Sequence, residues 1–290
     1  MSIKTLISPK QLAQAIGASE SSLKRWADDG LLRVSKTAGG HRRIPVNDAI
    51  RFIRERHLEV IKPEAIGLSS SLIPASECRS IDDLTSMLID YFTEGKVEEA
   101  ETLLISSYLS GSSVAEIADG PIQGALEQIG YIWKHKDNGI LIEHRATDTC
   151  LRSLVRMRSM FHPGENAPYA TGGAAPDDPY ILPSLIASVV LAENGFKSVN
   201  LGPNCPLNTI KQSVEQTNSK ITWLTVSVAK NPDQMNSDIM ELSETLKSLG
   251  STLTIGGREA SRLGLDPAHI TMCNSMSDFE RITTMVNATN

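Results

Sequence analysis

Trp133 stands nine residues ahead of the pair Glu143-His144. An indole offers a wide flat apolar surface, and a carboxylate accepts hydrogen bonds, so the three together suit a planar ligand with polar edges. Taken singly, Trp133 reads as ordinary packing and His144 as a satisfied surface or core histidine. A second group is chemically different: Ser21, Ser22, Lys24 and Arg25, followed by Thr37 and His41-Arg42-Arg43, supply hydroxyls and cations of the kind that meet phosphates and base edges. A third is spread along the C-terminal half as Asp178-Pro179-Tyr180, Ser227 and Gly256-Gly257. No nucleophile elbow, phosphate-binding P-loop, HExxH helix or carboxylate cluster with a base is present, so the chain is not expected to be an enzyme. No metal cluster is expected either.

The elements that must position these groups follow from charge and periodicity. Residues 1–62 hold twelve Lys/Arg against six Asp/Glu, a net of +6, so the rest carries -12 of the total -6. Only the first part is built to meet phosphates. The 290 residues suffice for two or three domains, and no apolar run approaches the ~20 residues that span a bilayer. Cys78, Cys150, Cys205 and Cys273 are scattered without a C-x-x-C pair, and the first residues lack a secretory pattern. A cytoplasmic protein with reduced thiols, away from membranes, is expected.

Ser8-Pro9 caps a first helix through Ile16, Gly17-Ala18-Ser19 turns, and Ser19 caps a second helix from Glu20 to Asp28. Leu23 and Trp26 share that helix's inner face, so Trp26 is core, while Ser21, Ser22, Lys24 and Arg25 lie outside. Leu31 to Ile44 reads as two short strands forming a basic wing, and Asn47 or Asp48 caps a further helix through His57. Residues 1–62 are thus one domain and residues 63–80, polar with Pro63, Gly67 and Pro74, a linker. Residues 81–161 read as four antiparallel helices: from Ile81 to Gly95, Val97 to Leu109, Val114 to Tyr131 and Ile140 to Met160. Trp133 then ends the third and Glu143-His144 begins the fourth, at one end of a bundle.

After a second linker around Pro163-Gly164, residues 169–290 alternate strand and helix. Strands are expected at 169–173, 198–202, 221–228, 252–255 and 269–273. Strict alternation predicts a flavodoxin-like, doubly wound parallel sheet whose ligand lies beyond the carboxyl ends of the strands. The loop after Gly173, Ser227 and Gly256-Gly257 would surround one crevice. The ordinary alternative for the two glycines is a tight strand-to-helix turn. The fold class is α/β plus all-α.

The head's order of helix, Gly-Ala-Ser turn, Ser-Leu-Lys-Arg-Trp helix and Gly-Gly-His-Arg-Arg wing resembles the winged helix-turn-helix of the MerR family of transcription regulators. That resemblance implies promoter DNA as partner, Ser21, Ser22, Lys24 and Arg25 in the major groove, and Thr37, His41, Arg42 and Arg43 on phosphates. It also implies a homo-oligomer on repeated half-sites. The W-x9-E-H spacing resembles the helical cap of cobalamin-dependent light sensors of the CarH type and, more distantly, of methionine synthase. There Trp133, Glu143 and His144 would cover the upper face of a corrin. Lys134 follows Trp133 where that family has a ligand His, and a protonated Lys is a poor metal ligand, so light switching by that route is not expected.

The tail resembles a cobalamin-binding domain in Leu201-Gly202-Pro203, Ser227 and Gly256-Gly257. It departs from the D/E-x-H-x-x-G pattern: Asp178 is followed by Tyr180 and Pro183 where the family has its lower-ligand His and its Gly. A phenol stays protonated near neutral pH unless a metal or base strips it, so ligation by a protein imidazole below cobalt is not expected. Cobalamin would bind with its own base or water below and its nucleotide tail between Ser227 and the glycines. The other readings are a different tetrapyrrole against Trp133 and Tyr180, a corrinoid carrier for a methyltransferase, and a ligand-free module controlled by a partner protein.

Overall fold

The computed structural model describes residues 6–36, 40–68, 80–135 and 138–288. It divides into two units, Met1–Ser113 with Gly120–Met160, and Val114–Asp119 with Phe161–Asn290.

In the first unit, α1 (Pro9–Ile16) begins where the Ser8 hydroxyl accepts the Gln11 amide at 3.2 Å and the Gln11 side chain accepts the Ser8 amide at 2.8 Å. This reciprocal cap satisfies two donors that the first turn would leave open. The helix closes on Gly17 in the left-handed region, and Ser19 caps α2 (Glu20–Asp28) by accepting the Ser22 amide at 3.1 Å. Helix α1 packs on α2 and on a three-stranded antiparallel sheet, β1 (Leu6–Ile7), β2 (Ser35–Lys36) and β3 (Arg42–Pro45), in the order β1-β3-β2. The strand β1 is not foreseen by periodicity, because two residues carry no period, yet Ile7 is fully buried opposite Ile44. The helix α3 (Val46–Glu55) starts earlier than an Asn47 or Asp48 cap would place it. Pro45 leads straight into it with φ near the helical value, and Asp48 turns inward, buried, to pair with Arg51 at 2.7 Å. The Trp26 ring packs against Phe52, tilted by 51° with centroids 5.2 Å apart, in keeping with a packing role.

The stretch after Lys62 is more than a spacer. Ile61 and Lys62 donate their amides to the Ala15 carbonyl, and a single 3-10 turn, Pro63–Ile66, buries Pro63 and Ile66. Residues 69–79 lie outside the described part.

Helices α4 (Ile81–Glu94) and α5 (Val97–Leu109) follow, then α6 (Val114–Ile117), a π turn over Ala118–Ile122, α7 (Gln123–His135) and α8 (Gly139–Arg158). The helix expected from Val114 to Tyr131 runs without a gap but carries this π turn within it. Pro121 has no amide to donate and its ring crowds the preceding turn, so the helix widens there, and residues 114–119 belong to the second unit. Leu88, Phe92, Leu103, Leu104, Ile142 and Leu154 form the interior. Arg54, from the last turn of α3, donates to the carbonyls of Tyr108, Gly111 and Ser112 at the end of α5 and lies 3.7 Å over the Tyr108 ring. A guanidinium thus caps the carbonyl end of another helix, the end that favours a cation.

The second unit alternates β4 (Tyr169–Ala174), α9 (Leu182–Glu193), β5 (Lys197–Asn200), α10 (Leu207–Thr217), β6 (Ile221–Thr225), α11 (Pro232–Ser248), β7 (Thr252–Gly256), β8 (Thr271–Cys273) and α12 (Met276–Ala288). All five strands are parallel in the order β5-β4-β6-β7-β8, the doubly wound arrangement expected from the sequence. Central strand β6 is buried along its whole length, as a sheet covered on both faces requires. One face carries Leu224, Val226, Ile210, Ile239 and Leu246; the other carries Trp223. The segment at 114–119 is bound in by its ends: the Val114 amide donates to Glu193 at 2.8 Å, and Asp119 accepts the Met276 and Ser277 amides at 2.7 and 2.8 Å, capping α12. Among the described residues no helix is long and apolar enough to cross a membrane.

Candidate functional site

The order of the sheet reverses between β4 and β6, so the crevice favoured for ligands lies where the loops after Ala174 and Thr225 diverge. Asp178 ties these loops together. Its carboxylate is fully buried and accepts the Ser227 amide at 2.6 Å and the Tyr180 amide at 3.0 Å, while its backbone carbonyl accepts the Asn204 amide at 2.8 Å. Charge-assisted bonds of this kind are about twice as strong as neutral ones. Asp178, Tyr180 and Ser227 are thereby brought to one edge, with the Tyr180 ring half exposed at the rim.

Three residues that the sequence did not single out join them. The Thr225 hydroxyl, at the carboxyl end of β6, is buried and has no hydrogen-bond partner among the described residues. Arg258 donates to the Ser227 carbonyl at 3.1 Å with its side chain largely exposed, and Lys230 pairs with Asp177 at 3.2 Å. Two cations therefore stand at the rim of the crevice. Thr225 gives no sequence signal, because a Thr in a buried strand is ordinary; only the lack of a partner marks it.

The spaces around the crevice are closed. Trp223 is 2% exposed, and its indole nitrogen donates to the Ser184 hydroxyl at 3.2 Å, which donates to Asn200 at 2.7 Å. The indole lies across Gly172 of the neighbouring strand so tightly that a β-carbon there would sit 2.1 Å from the Trp223 carbonyl and 2.3 Å from the ring. On the other side, Val226 donates to the Gly256 carbonyl at 2.8 Å and accepts from the Glu259 amide at 3.0 Å. Gly257 has φ +111, and a β-carbon would fall 2.5 Å from the Val226 carbonyl oxygen. Gly257 is thus demanded by backbone packing, while a β-carbon on Gly256 would meet the Cys273 carbonyl oxygen at 3.0 Å. Gly256 and Gly257 meet the backbone of Val226, the residue before Ser227.

In the first unit, Trp133 lies in the last turn of α7, and its side chain falls outside the described residues, as do those of Lys134 and His135. Glu143 and His144 lie in the first two turns of α8. His144 Nδ1 is 2.7 Å from one Glu143 oxygen, and the Thr147 hydroxyl donates to the other at 3.2 Å. The Glu143 carboxylate is therefore already engaged on both oxygens, and His144 is 74% exposed. Tyr131, Ile140 and Leu141 are exposed at this same end of the two helices.

The head presents its own face. Ser21, Lys24 and Arg25 are exposed on α2 and Ser22 is half buried; Ser19 links the Ser21 and Ser22 hydroxyls at 2.7 and 2.9 Å. Lys24 and Arg25 have no ion pair among the described residues. Arg42 and Arg43 are half buried on β3 and His41 is exposed; Arg42 pairs with Asp28 at 3.0 Å. Such a surface pair is worth only about 0–1 kcal/mol and leaves the guanidinium available. Ser21, Lys24 and Arg42 line one open groove. Thr37 lies outside the described residues. No group of three or more potential metal ligands occurs among the described residues.

No protein-family model matches the chain, and no curated protein sequence does. Among solved structures, its fold is similar to that of a monomethylamine corrinoid protein from Methanosarcina barkeri, 13% identical, covering 71% of this chain and 100% of that one at a TM-score of 0.50. A cobalamin-binding protein from Desulfitobacterium hafniense DCB-2 is 17% identical over 72% of this chain and 99% of its own, with a TM-score of 0.35. The methanol:cobalamin methyltransferase complex from Methanosarcina barkeri is 14% identical over 78% and 89%, with a TM-score of 0.37. The likeness to the first is one of fold.

Proposed function

We propose that this chain binds a corrinoid at the carboxyl edge of its parallel sheet. The observation that carries the reading is the crevice at the strand-order reversal, in a fold similar to that of a corrinoid protein: Asp178 bridges its two loops and a buried Thr225 hydroxyl is left without a partner. The residues suit the group in part. Tyr180 and Arg258 offer an aromatic face and a cation to the ring and its phosphate. They do not suit ligation of cobalt by a protein imidazole from the sheet, because no His occurs between residues 163 and 268, the span that carries the carboxyl ends of β4 to β7. A bound corrinoid would supply cobalt chemistry or, in a sensor, a ligand-dependent conformational state. Equilibrium dialysis of the full chain with hydroxo- and adenosylcobalamin tests this; no retention of either would refute it.

Two uses of a corrinoid are open to such a chain. The likeness to a corrinoid protein favours a carrier for methyl transfer. A carrier, however, leaves the head without a task. The exposed Lys24 and Arg25, unpaired among the described residues, and the +6 balance of residues 1–62 support our second proposal: the head is a winged helix-turn-helix that binds double-stranded DNA, and the chain is a MerR-type regulator. Promoter fragments should bind with an affinity that falls steeply with salt. Lys24→Ala or Arg25→Ala should alter sequence preference, and Arg42→Ala or Arg43→Ala should weaken binding to all fragments. Salt-independent or absent binding, alongside methyl exchange with an added corrinoid methyltransferase, would favour the carrier.

A further inference from the structure

We infer that residues 108–114 form a strap through which the second unit governs how firmly the head is held, with Arg54 at the head end and Glu193 at the sheet end. The inference concerns regulation and stands on bonds within the chain, not on the identity of a ligand.

The head end is built by α3. The Arg54 guanidinium donates to the carbonyls of Tyr108, Gly111 and Ser112, at 2.8 Å to Ser112, and lies over the Tyr108 ring. Helix α5 ends here, and its last carbonyls lack helical partners, so a cation is the group they favour. Gly111, at φ +121, lets the chain turn away without the strain that a β-carbon would bring. Because one planar fork serves all three carbonyls, moving the strap detaches them together.

The sheet end lies two residues on. The chain passes from the first unit to the second between Ser113 and Val114. The Val114 amide donates to the Glu193 carboxylate at 2.8 Å, and Val114 is fully buried. A charge-assisted bond to a buried amide is costly to leave unmade. The far end of the same segment is pinned as well, since Asp119 accepts the Met276 and Ser277 amides and the Ser277 hydroxyl. Residues 114–119 therefore move with α9 and α12. Ser113 alone separates the carbonyl that Arg54 holds from the amide that Glu193 holds. Two residues reach at most about 7 Å, so neither anchor shifts far without pulling on the other.

Helix α9 carries this grip to the crevice. It starts at Leu182, two residues after Tyr180, and ends on Glu193, a rod of 12 residues and about 18 Å. A change in the Asp178–Tyr180 loop that tilts α9 displaces Glu193, draws on the Val114 amide and loosens the strap from Arg54. With Arg54 released, α3 loses a hold on the bundle and the head gains freedom of orientation. Ser21, Lys24 and Arg25 are not buried while the strap is closed. The strap thus aims the cationic face of the head and does not cover it.

The experiment uses the full chain with neither corrinoid nor DNA and reads amide hydrogen exchange residue by residue. The amides of Arg56, His57 and Leu58, bonded to the Phe52, Arg54 and Ile53 carbonyls, report on the end of α3. Glu193→Ala should accelerate exchange at Val114, and at these three amides by about fivefold or more, the lower end of coupling between two sites. In an Arg54→Ala background the same change should leave the three within about twofold of Arg54→Ala alone, because the strap no longer reaches α3. Acceleration at Val114 without effect on the three amides, or none at Val114, would overturn the inference. Coupling is reciprocal, so Arg54→Ala alone should accelerate Val114, and this reading serves where Glu193→Ala does not fold. Arg51→Ala is the control, since it breaks the pair with Asp48 on the same helix without touching the strap. Equal acceleration of Val114 by Arg54→Ala and Arg51→Ala would mark a general loosening and would also overturn it. Corrinoid retention and DNA binding are separate measurements, so failure of the strap leaves both readings above intact.

Discussion

Replacing Gly257 by alanine separates a glycine that a ligand needs from one that the backbone needs. Gly257 has φ +111, and the added carbon would lie 2.5 Å from the Val226 oxygen and 2.8 Å from the Val226 carbonyl carbon and nitrogen. A positive φ costs an L-residue roughly 1–2 kcal/mol. Relief of the clash requires the end of β6 to move away, which weakens the Val226–Gly256 and Val226–Glu259 bonds at about 1 kcal/mol each. Alanine returns about 0.4–1 kcal/mol by restricting the unfolded chain. The net loss is about 3 kcal/mol. Gly250 is the matched control: φ is +72 and nothing lies within 4 Å of its added carbon, so Gly250→Ala should cost about 1 kcal/mol or less. For a unit of this size the difference of about 2 kcal/mol corresponds to roughly 6–10 °C in melting temperature. Differential scanning calorimetry of the full chain without corrinoid reads it. Equal shifts for the two variants would show that the Gly257 backbone is not confined by β6.

Asp178→Ala should cost about 2–4 kcal/mol, because two amides lose a charged acceptor, and hydrogen exchange at Tyr180 and Ser227 should accelerate first. Arg54→Ala should lower stability of the first unit by about 1–2 kcal/mol in urea, and Arg54→Lys should not restore it, since an ammonium lacks the planar fork that serves three carbonyls and stacks on Tyr108. Burial pushes the Cys150 thiol up to about 12, so iodoacetamide at pH 9 should label it only after denaturant is added. The sign follows from linkage: a folded pKa above the unfolded one stabilises below about pH 9, and that share is lost as pH rises from about 9 to 12. A Cys150→Ala variant should lose that part of the alkaline dependence in a urea series.

Much of the architecture was legible because it rests on local signals. Ser8 and Ser19 cap their helices as their side chains dictate, and the alternation from Tyr169 to Cys273 led to the parallel sheet with ends correct to a few residues. Misreadings came where a distant contact overrode a local preference. The two-residue strand β1 exists only because Ile7 is buried opposite Ile44; Asp48 turned from a helix cap into a buried partner of Arg51; and Pro121 put a π turn into a helix whose apolar period gives no sign of it.

The candidate site shows the same division. Residue types alone decided that the crevice has no imidazole and that the head is cationic, because charge and ligand chemistry belong to side chains wherever they are placed. Tertiary structure decided that Asp178 clamps two loops 49 positions apart, that Thr225 is left without a partner among the described residues, and that Trp223 packs flat against Gly172. It also assigned Gly256-Gly257 to backbone contact with β6. These outcomes depend on which atoms share a volume of a few ångströms. A linear order of residues specifies that volume only after the sheet has brought distant strands side by side.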